Sequence, residues 1–316
     1  MNPKISNGVK KTSILFVCLM VVVVGIWLSL RNSKTSQQAE KQTETLRIAT
    51  SFYPLQFIVS EIAQGKAEVY NLVPPGAEPH DYELTSGDMV QVEKSDLVFI
   101  LGSGFEPWED TLRDTIQKDM ARVVAVGEGL IDREMVEDDT PVRDPHIWLS
   151  PKLAKKMTQT IMNILEQHDP AHRAEYKKNA TDLERRFDGL HSSFVELLSS
   201  CTKKEFVTSH EAFGYLARDY GLTQIAIAGL SPDEEPSPRE LANIADYVKK
   251  NTINVIFFET LVSPKLAETI AKETGAQTRV LNPLEGLSKE EIEEGKNYFT
   301  EMRQNLNNMR EALQCT

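Results

Sequence analysis

Tyr176-Lys-Lys-Asn-Ala180-Thr-Asp-Leu183-Glu-Arg-Arg-Phe187-Asp-Gly-Leu190-His-Ser-Ser-Phe194-Val-Glu-Leu197 is the stretch that decides the fold. Its apolar residues recur every three or four positions, the spacing of a helix with one buried face. The pattern extends over 169–201, and about thirty residues rising 1.5 Å each reach roughly 45 Å, enough to cross a whole molecule. A coiled-coil dimer seam would share this spacing, but about three heptads are short for one, and packing against flanking segments accounts for the stripe better. The stretch has no Gly/Ser-rich composition, so it reads as a stiff connector.

On both sides of the connector, short β-branched runs alternate with amphipathic segments, the pattern of βα units and parallel sheets. Expected strands before it are Leu46–Ser51, Glu68–Val73, Leu97–Leu101 and Arg122–Val126; after it, Glu205–Ser209, Gln224–Ala228, Asn254–Glu259 and Thr278–Leu281. Pro54 and Pro264 suit first helical turns, Gly275 a helix end, and Ser288 with Glu291 a capping box. The seam of the last helix, Tyr298, Met302, Leu306, Met309 and Leu313, reads as core packing. The fold class expected is therefore α/β: two doubly wound βα lobes with parallel sheets, joined by a long rigid backbone helix. The divisions are 1–45, an N-terminal segment and linker; 46–168, a first lobe; 169–201, the connector; and 202–316, a second lobe.

Residues 14–30 (ILFVCLMVVVVGIWLSL) stand apart as an apolar block preceded by Lys4, Lys10 and Lys11. The block is longer than the core of a cleaved signal peptide and lacks a small-residue cleavage site, so an uncleaved membrane anchor with an inside N-terminus is expected. A lipoprotein reading is disfavoured because Cys18 sits mid-run without small residues before it. The residues after 31 then lie outside the cytoplasm, where Cys201 and Cys315 are expected to pair as a disulfide, two free thiols being the alternative. Residues 46–316 carry 29 Lys and Arg against 45 Asp and Glu, a formal net of −16. Such a field repels phosphate and excludes nucleic acid as a partner.

Of the 6 histidines, His168, His172 and His191 lie in charged helical surroundings and read as solvated. His80, His146 and His210 lie in loops, the first and last just after expected strands. Glu285 comes after the last expected strand in the same way. In open parallel sheets ligands gather beyond the carboxyl ends of the strands, so these four can converge. Three imidazoles and one carboxylate suit a four-coordinate Zn²⁺, although unrelated polar loop residues would give the same spacing. Glu259 is a competing acid, able to ligate or to hydrogen-bond from behind a ligand; Glu285 ranks ahead of it.

Four blocks in order, Pro74-Pro-Gly-Ala-Glu-Pro-His-Asp-Tyr-Glu, Asp144-Pro-His-Ile-Trp-Leu-Ser-Pro, Val207-Thr-Ser-His-Glu-Ala-Phe-Gly-Tyr-Leu and Leu230-Ser-Pro-Asp-Glu-Glu-Pro-Ser-Pro, resemble the solute-binding proteins of zinc and manganese ABC transporters, with their adhesin-like relatives. The resemblance spans Leu46 to the C-terminus. It implies two βα lobes on a rigid helix, a metal site at His80, His146, His210 and Glu285, Zn²⁺ as transported cargo, and a permease with its ATPase as partners. Manganese-type members carry a carboxylate where this chain has His210; an added imidazole shifts preference toward zinc. Many zinc-type members have a His-rich loop before the second histidine, whereas Glu134-Met-Val-Glu-Asp-Asp-Thr-Pro contains none and reads as a solvated acidic turn. The resemblance implies an extracytoplasmic, non-enzymatic monomer. Manganese or iron cargo, a zinc hydrolase and a surface adhesin are the alternatives; a hydrolase would need an open metal position, which Glu285 closes, and a general base, for which only Asp81 and Glu211 offer themselves.

Overall fold

The computed structural model describes residues 45–116, 122–137 and 140–316. The apolar block Ile14–Leu30 lies outside these. Among the described residues no helix is long and apolar enough to cross a membrane.

The first sheet holds β1 (Leu46–Thr50), β2 (Ala67–Asn71), β3 (Leu97–Ile100) and β4 (Arg122–Ala125), all parallel, in the order β2-β1-β3-β4. Between them come α1 (Tyr53–Ala63), α2 (Ser86–Lys94) and α3 (Glu109–Thr115). An antiparallel hairpin comes next, β5 (Glu134–Glu137) with β6 (Thr140–Arg143), in the register Glu134 opposite Arg143. The segment read as a solvated acidic turn is thus part of a two-stranded ribbon, in which Val136 lies opposite Pro141 and Met135 opposite Val142, the two valines favouring the pleated pairing. Helix α4 (Pro151–His168) leads through a short 3₁₀ turn, Pro170–His172, into α5 (Arg173–Ser199).

The connector is therefore 27 residues long and shorter than 169–201. His168 belongs to the end of α4, and Pro170, lacking an N–H, starts the tight turn between the two helices.

The second half repeats the first. Strands β7 (Glu205–Thr208), β8 (Thr223–Ala226), β9 (Val255–Phe258) and β10 (Gln277–Val280) are parallel in the order β10-β9-β7-β8, the same topology read from the other edge. Its helices are α6 (Gly214–Tyr220), α7 (Pro238–Lys250), α8 (Lys265–Thr274), α9 (Lys289–Glu293) and α10 (Tyr298–Ala312). Several expected strands run past these limits because ladder bonds continue beyond them, as from Ile227 N to Thr208 O and Ala228 N to Ser209 O. The Ser288/Glu291 capping box forms, and Gly275 ends α8 at φ 77°, in the left-handed region glycine tolerates. Pro264 caps α8 from outside its first turn.

Each sheet buries apolar residues on both faces. One outer layer contains Val98, Ile100 and Leu112, the other Val207, Ile256 and Ile270. The inner faces share one core with the connector: Phe187 lies 5.4 Å from Tyr298 of α10, and Tyr298 stacks at 5.6 Å on Phe57 of α1. Trp148 Nε1 donates to Pro283 O at 2.7 Å, and the Tyr298 hydroxyl donates to Trp148 O. Residues 46–316 consequently form a single compact unit in which α10 crosses back to the first half.

Cys201, just past α5, is joined to Cys315 by a disulfide across 114 residues of sequence. A cross-link closing so long a loop acts mainly by restricting the unfolded chain. Reducing it, or Cys315→Ser, should lower unfolding free energy by about 2–5 kcal/mol, measured by denaturant titration, while leaving the far-UV circular dichroism of the folded state unchanged.

Candidate metal centre

His210 and Glu259 come just after β7 and β9, the two strands between which the second sheet reverses its order. That reversal opens a crevice at the carboxyl edge of a doubly wound sheet. Two loops of the first half reach the same place: residues 72–85 carry His80, and the segment leaving the hairpin carries His146. Glu285 comes from the loop between β10 and α9. One donor atom from each of His80, His146, His210 and Glu285 lies within 4.8 Å of the other three.

The spacing is tighter than that limit. Glu285 Oε1 is 3.4 Å from His80 Nε2, 3.4 Å from His146 Nε2 and 3.3 Å from His210 Nε2. The Nε2 atoms of His146 and His210 are 3.3 Å apart. Tetrahedral zinc with arms of 2.0–2.1 Å has ligand-to-ligand edges of about 3.3 Å. Lone-pair donors at this separation repel one another unless a proton or metal cation lies among them.

The rear nitrogens explain how the rings are aimed. His146 Nδ1 lies 2.9 Å from Asp144 Oδ1, and His210 Nδ1 lies 2.7 Å from Glu259 Oε1. A carboxylate on Nδ1 fixes the tautomer that presents Nε2 as a metal donor. Glu259 also accepts the backbone N–H of His210 at 3.2 Å. Among the two competing acids, then, Glu285 faces the three Nε2 atoms and Glu259 stands behind His210. His80 is backed differently, by the edge of Phe105 at 5.0 Å. It also lines a cavity of ≈ 440 Å³ together with Phe105, Arg143, Pro145 and Ser231. His168, His172 and His191 are not part of this group: they contact Arg122, Asp169 and Tyr220.

Two acids at the site escaped sequence reasoning, and both carry a legible signal. Glu78-Pro79-His80 and Asp144-Pro145-His146 are the same acid-Pro-His tripeptide. In each, the acid accepts the backbone N–H of the histidine two residues on, at 2.8 Å from Glu78 and 3.0 Å from Asp144. The intervening proline has no N–H to compete, so the turn fixes where the imidazole starts.

Burial and charge oppose each other here. Burial by itself would lower the pKa of His210, but the Glu259 and Glu285 carboxylates outweigh it and raise the imidazole well above its usual range. Burial disfavours the Glu285 anion, yet His210, His146 and His80 hold its pKa well below the usual carboxylate value. Burial, with Glu285 beside it, pushes Glu78 up to about 9.

These residues lie inside a region with clear relatives. Residues 48–312 match the family model described as ZnuA, zinc-uptake complex component A, periplasmic. The chain belongs to this family. The High-affinity zinc uptake system protein ZnuA of Bacillus subtilis (strain 168) is 36% identical over 318 residues, covering 96% of this chain and 98% of that protein. The Zinc-binding lipoprotein AdcA of Streptococcus pneumoniae is 38% identical over 285 residues, 86% of this chain, which spans 57% of AdcA's length. The crystal structure of the Zn(II)-bound ZnuA-like domain of that AdcA superposes with a TM-score of 0.75 at 37% identity, covering 85% of this chain and 99% of that domain.

Two outcomes are expected of this ZnuA-family centre. A cation that takes Nε2 of a protonated His210 must expel its proton, so zinc affinity should rise with pH across the neutral range and fall on acidification. Calorimetry in buffers of different ionisation enthalpy should register net proton release. Glu259→Gln, which keeps the shape but weakens the hold on Nδ1, should reduce zinc affinity about 10–100-fold while preserving one bound equivalent.

Proposed function

We propose that this protein captures Zn²⁺ outside the cytoplasm with His80, His146, His210 and Glu285 and delivers it to the permease and ATPase of an ABC importer. The observation that carries the reading is the set of four donors within 4.8 Å of one another, with Glu285 Oε1 at the edge length of a zinc tetrahedron from all three Nε2 atoms, contributed by loops of both halves. Membership of the periplasmic zinc-uptake family supports it, as do the zinc uptake named for the Bacillus relative and the Zn(II) bound by the AdcA domain. Zinc is cargo here and the protein is not an enzyme: four protein donors close a tetrahedral sphere and leave no position for an activated water.

Three imidazoles and one carboxylate also favour zinc over manganese or iron. A carboxylate at the His210 position would harden the site toward Mn²⁺, whereas imidazole is a better donor for Zn²⁺. In this reading the apolar segment 14–30 tethers the chain at the outer face of the cytoplasmic membrane, and the protein works as a monomer.

Zinc titration of the purified protein with its His210→Ala and Glu285→Ala variants tests the reading. The parent should bind one tight equivalent and gain thermal stability with free zinc, since a ligand that binds only the folded state adds RT ln(1 + [L]/Kd). Both variants should lose most of the affinity and most of that stabilisation. No stoichiometric zinc in the parent overturns the proposal; zinc binding indifferent to Glu285→Ala moves the fourth donor to another group.

A further inference from the structure

We infer that Arg133, seated against Gly214, is a positioning residue of the zinc site: it holds Asp144, and Asp144 aims His146. The inference rests on the zinc-capture reading above and extends it to residues that touch no metal.

Arg133 stands at the base of the β5–β6 hairpin, where its carbonyl accepts the Asp144 N–H at 3.1 Å. Its Nη1 is 3.2 Å from Asp144 Oδ2, and its Nη2 is 3.4 Å from Glu211 Oε1. Asp144 is fully buried, with its other oxygen on His146 Nδ1. A buried carboxylate left without its cation is costly, and it reorients. The geometry at His146 Nδ1 then changes.

Glu211 adjoins His210, so the one guanidinium balances carboxylates beside two of the three imidazoles, one from each half of the chain. Among the described residues nothing else pairs with Asp144 Oδ2.

The seat for this guanidinium is built by α6. A Cβ on Gly214 would lie 1.2 Å from Arg133 Nη1, so the first position of the helix is open only because it is glycine. The next residue, Tyr215, completes the clamp. Its hydroxyl accepts the N–H groups of Asp132 and Arg133, each at 3.1 Å, and donates to the Asp144 carbonyl at 3.0 Å. The Arg133 guanidinium also lies 5.7 Å from the centre of the Tyr215 ring. No ordinary packing demand requires an arginine in this place, whereas an anion backing a metal ligand does.

The test uses two changes that act on the same contact from opposite sides. Arg133→Met removes the charge and keeps the length; Gly214→Ala keeps the charge and pushes the guanidinium out of its seat. Zinc affinity of the full chain is read by chelator competition, alongside the visible spectrum of the Co²⁺-loaded protein and the melting temperature of the metal-free form. Each change should lower zinc affinity about 10–100-fold with one equivalent still bound, as for loss of an outer partner of a ligand. The Co²⁺ bands should shift, the double variant should be no worse than the poorer single one, and Arg133→Lys should recover part of the loss. Should Arg133→Met fail to fold, Gly214→Ala and Arg133→Lys carry the same comparison. Affinities within twofold of the parent, or losses that multiply in the double variant, overturn the inference. So does a lowered melting temperature with affinity and Co²⁺ spectrum unchanged, which would make Arg133 a strut. The function itself fails separately, when the parent binds no zinc or His210→Ala binds it as well as the parent.

Discussion

Four polar groups that need a cation among them, with Glu285 Oε1 3.3–3.4 Å from the three imidazole Nε2 atoms, set the constraint on the rest of the structure. In water such groups would separate. Here the three imidazoles are held from behind: Asp144 behind His146, Glu259 behind His210, and the acid-Pro-His turns at the start of His80 and His146. The carboxylates that orient the rings also supply negative potential, which makes the assembly more favourable to a dication than to neutral solvent. Burial strengthens each of these terms, because the local dielectric is low.

Holding the donors still requires a frame that does not yield, and the shared core supplies it. The connector α5 packs against the second half through Phe187 and Phe194 and is bonded to the first through Asn179 Nδ2, which donates to Ile62 O, and α10 returns to the first half through Tyr298 and Phe299 against Phe57. Trp148, two residues beyond His146, is bonded to Pro283, two residues before Glu285. A donor from the first half and one from the second are thus linked through backbone and a buried indole. Such a shared, close-packed core resists continuous deformation and so opposes large relative motion of the halves.

Much of this was legible in the sequence. The periodic seam from Tyr176 to Leu197 identified the connector, and the repeated βα alternation identified two parallel sheets, because both rest on local periodicity that burial enforces. The position of His210 and Glu285 just past strands gave their convergence. What the sequence did not reveal depends on distant partners. Arg133 looks like one more surface charge until Gly214 opens a seat for it 81 positions along the chain. Position alone ranks Glu259 and Glu285 alike, since both come after strands; the family resemblance put Glu285 first, and the direction each carboxylate faces separates them. The hairpin was missed because its acids outnumber its β-forming residues, and cross-strand pairing is a tertiary fact that propensity reports weakly.

The three imidazoles are not equivalent, and the difference bears on how a metal enters. His146 and His210 are completely buried and each is fixed by a carboxylate, whereas the side chain of His80 is 10% exposed and faces the cavity beside Phe105. Of the three, His80 is therefore the imidazole that solvent reaches, while Glu285 Oε1 stands 3.3–3.4 Å from the Nε2 atoms of the two buried rings, near the edge length of a zinc tetrahedron. The fold thus combines a rigid floor, set by carboxylates and a common core, with one donor held by an aromatic edge and a turn.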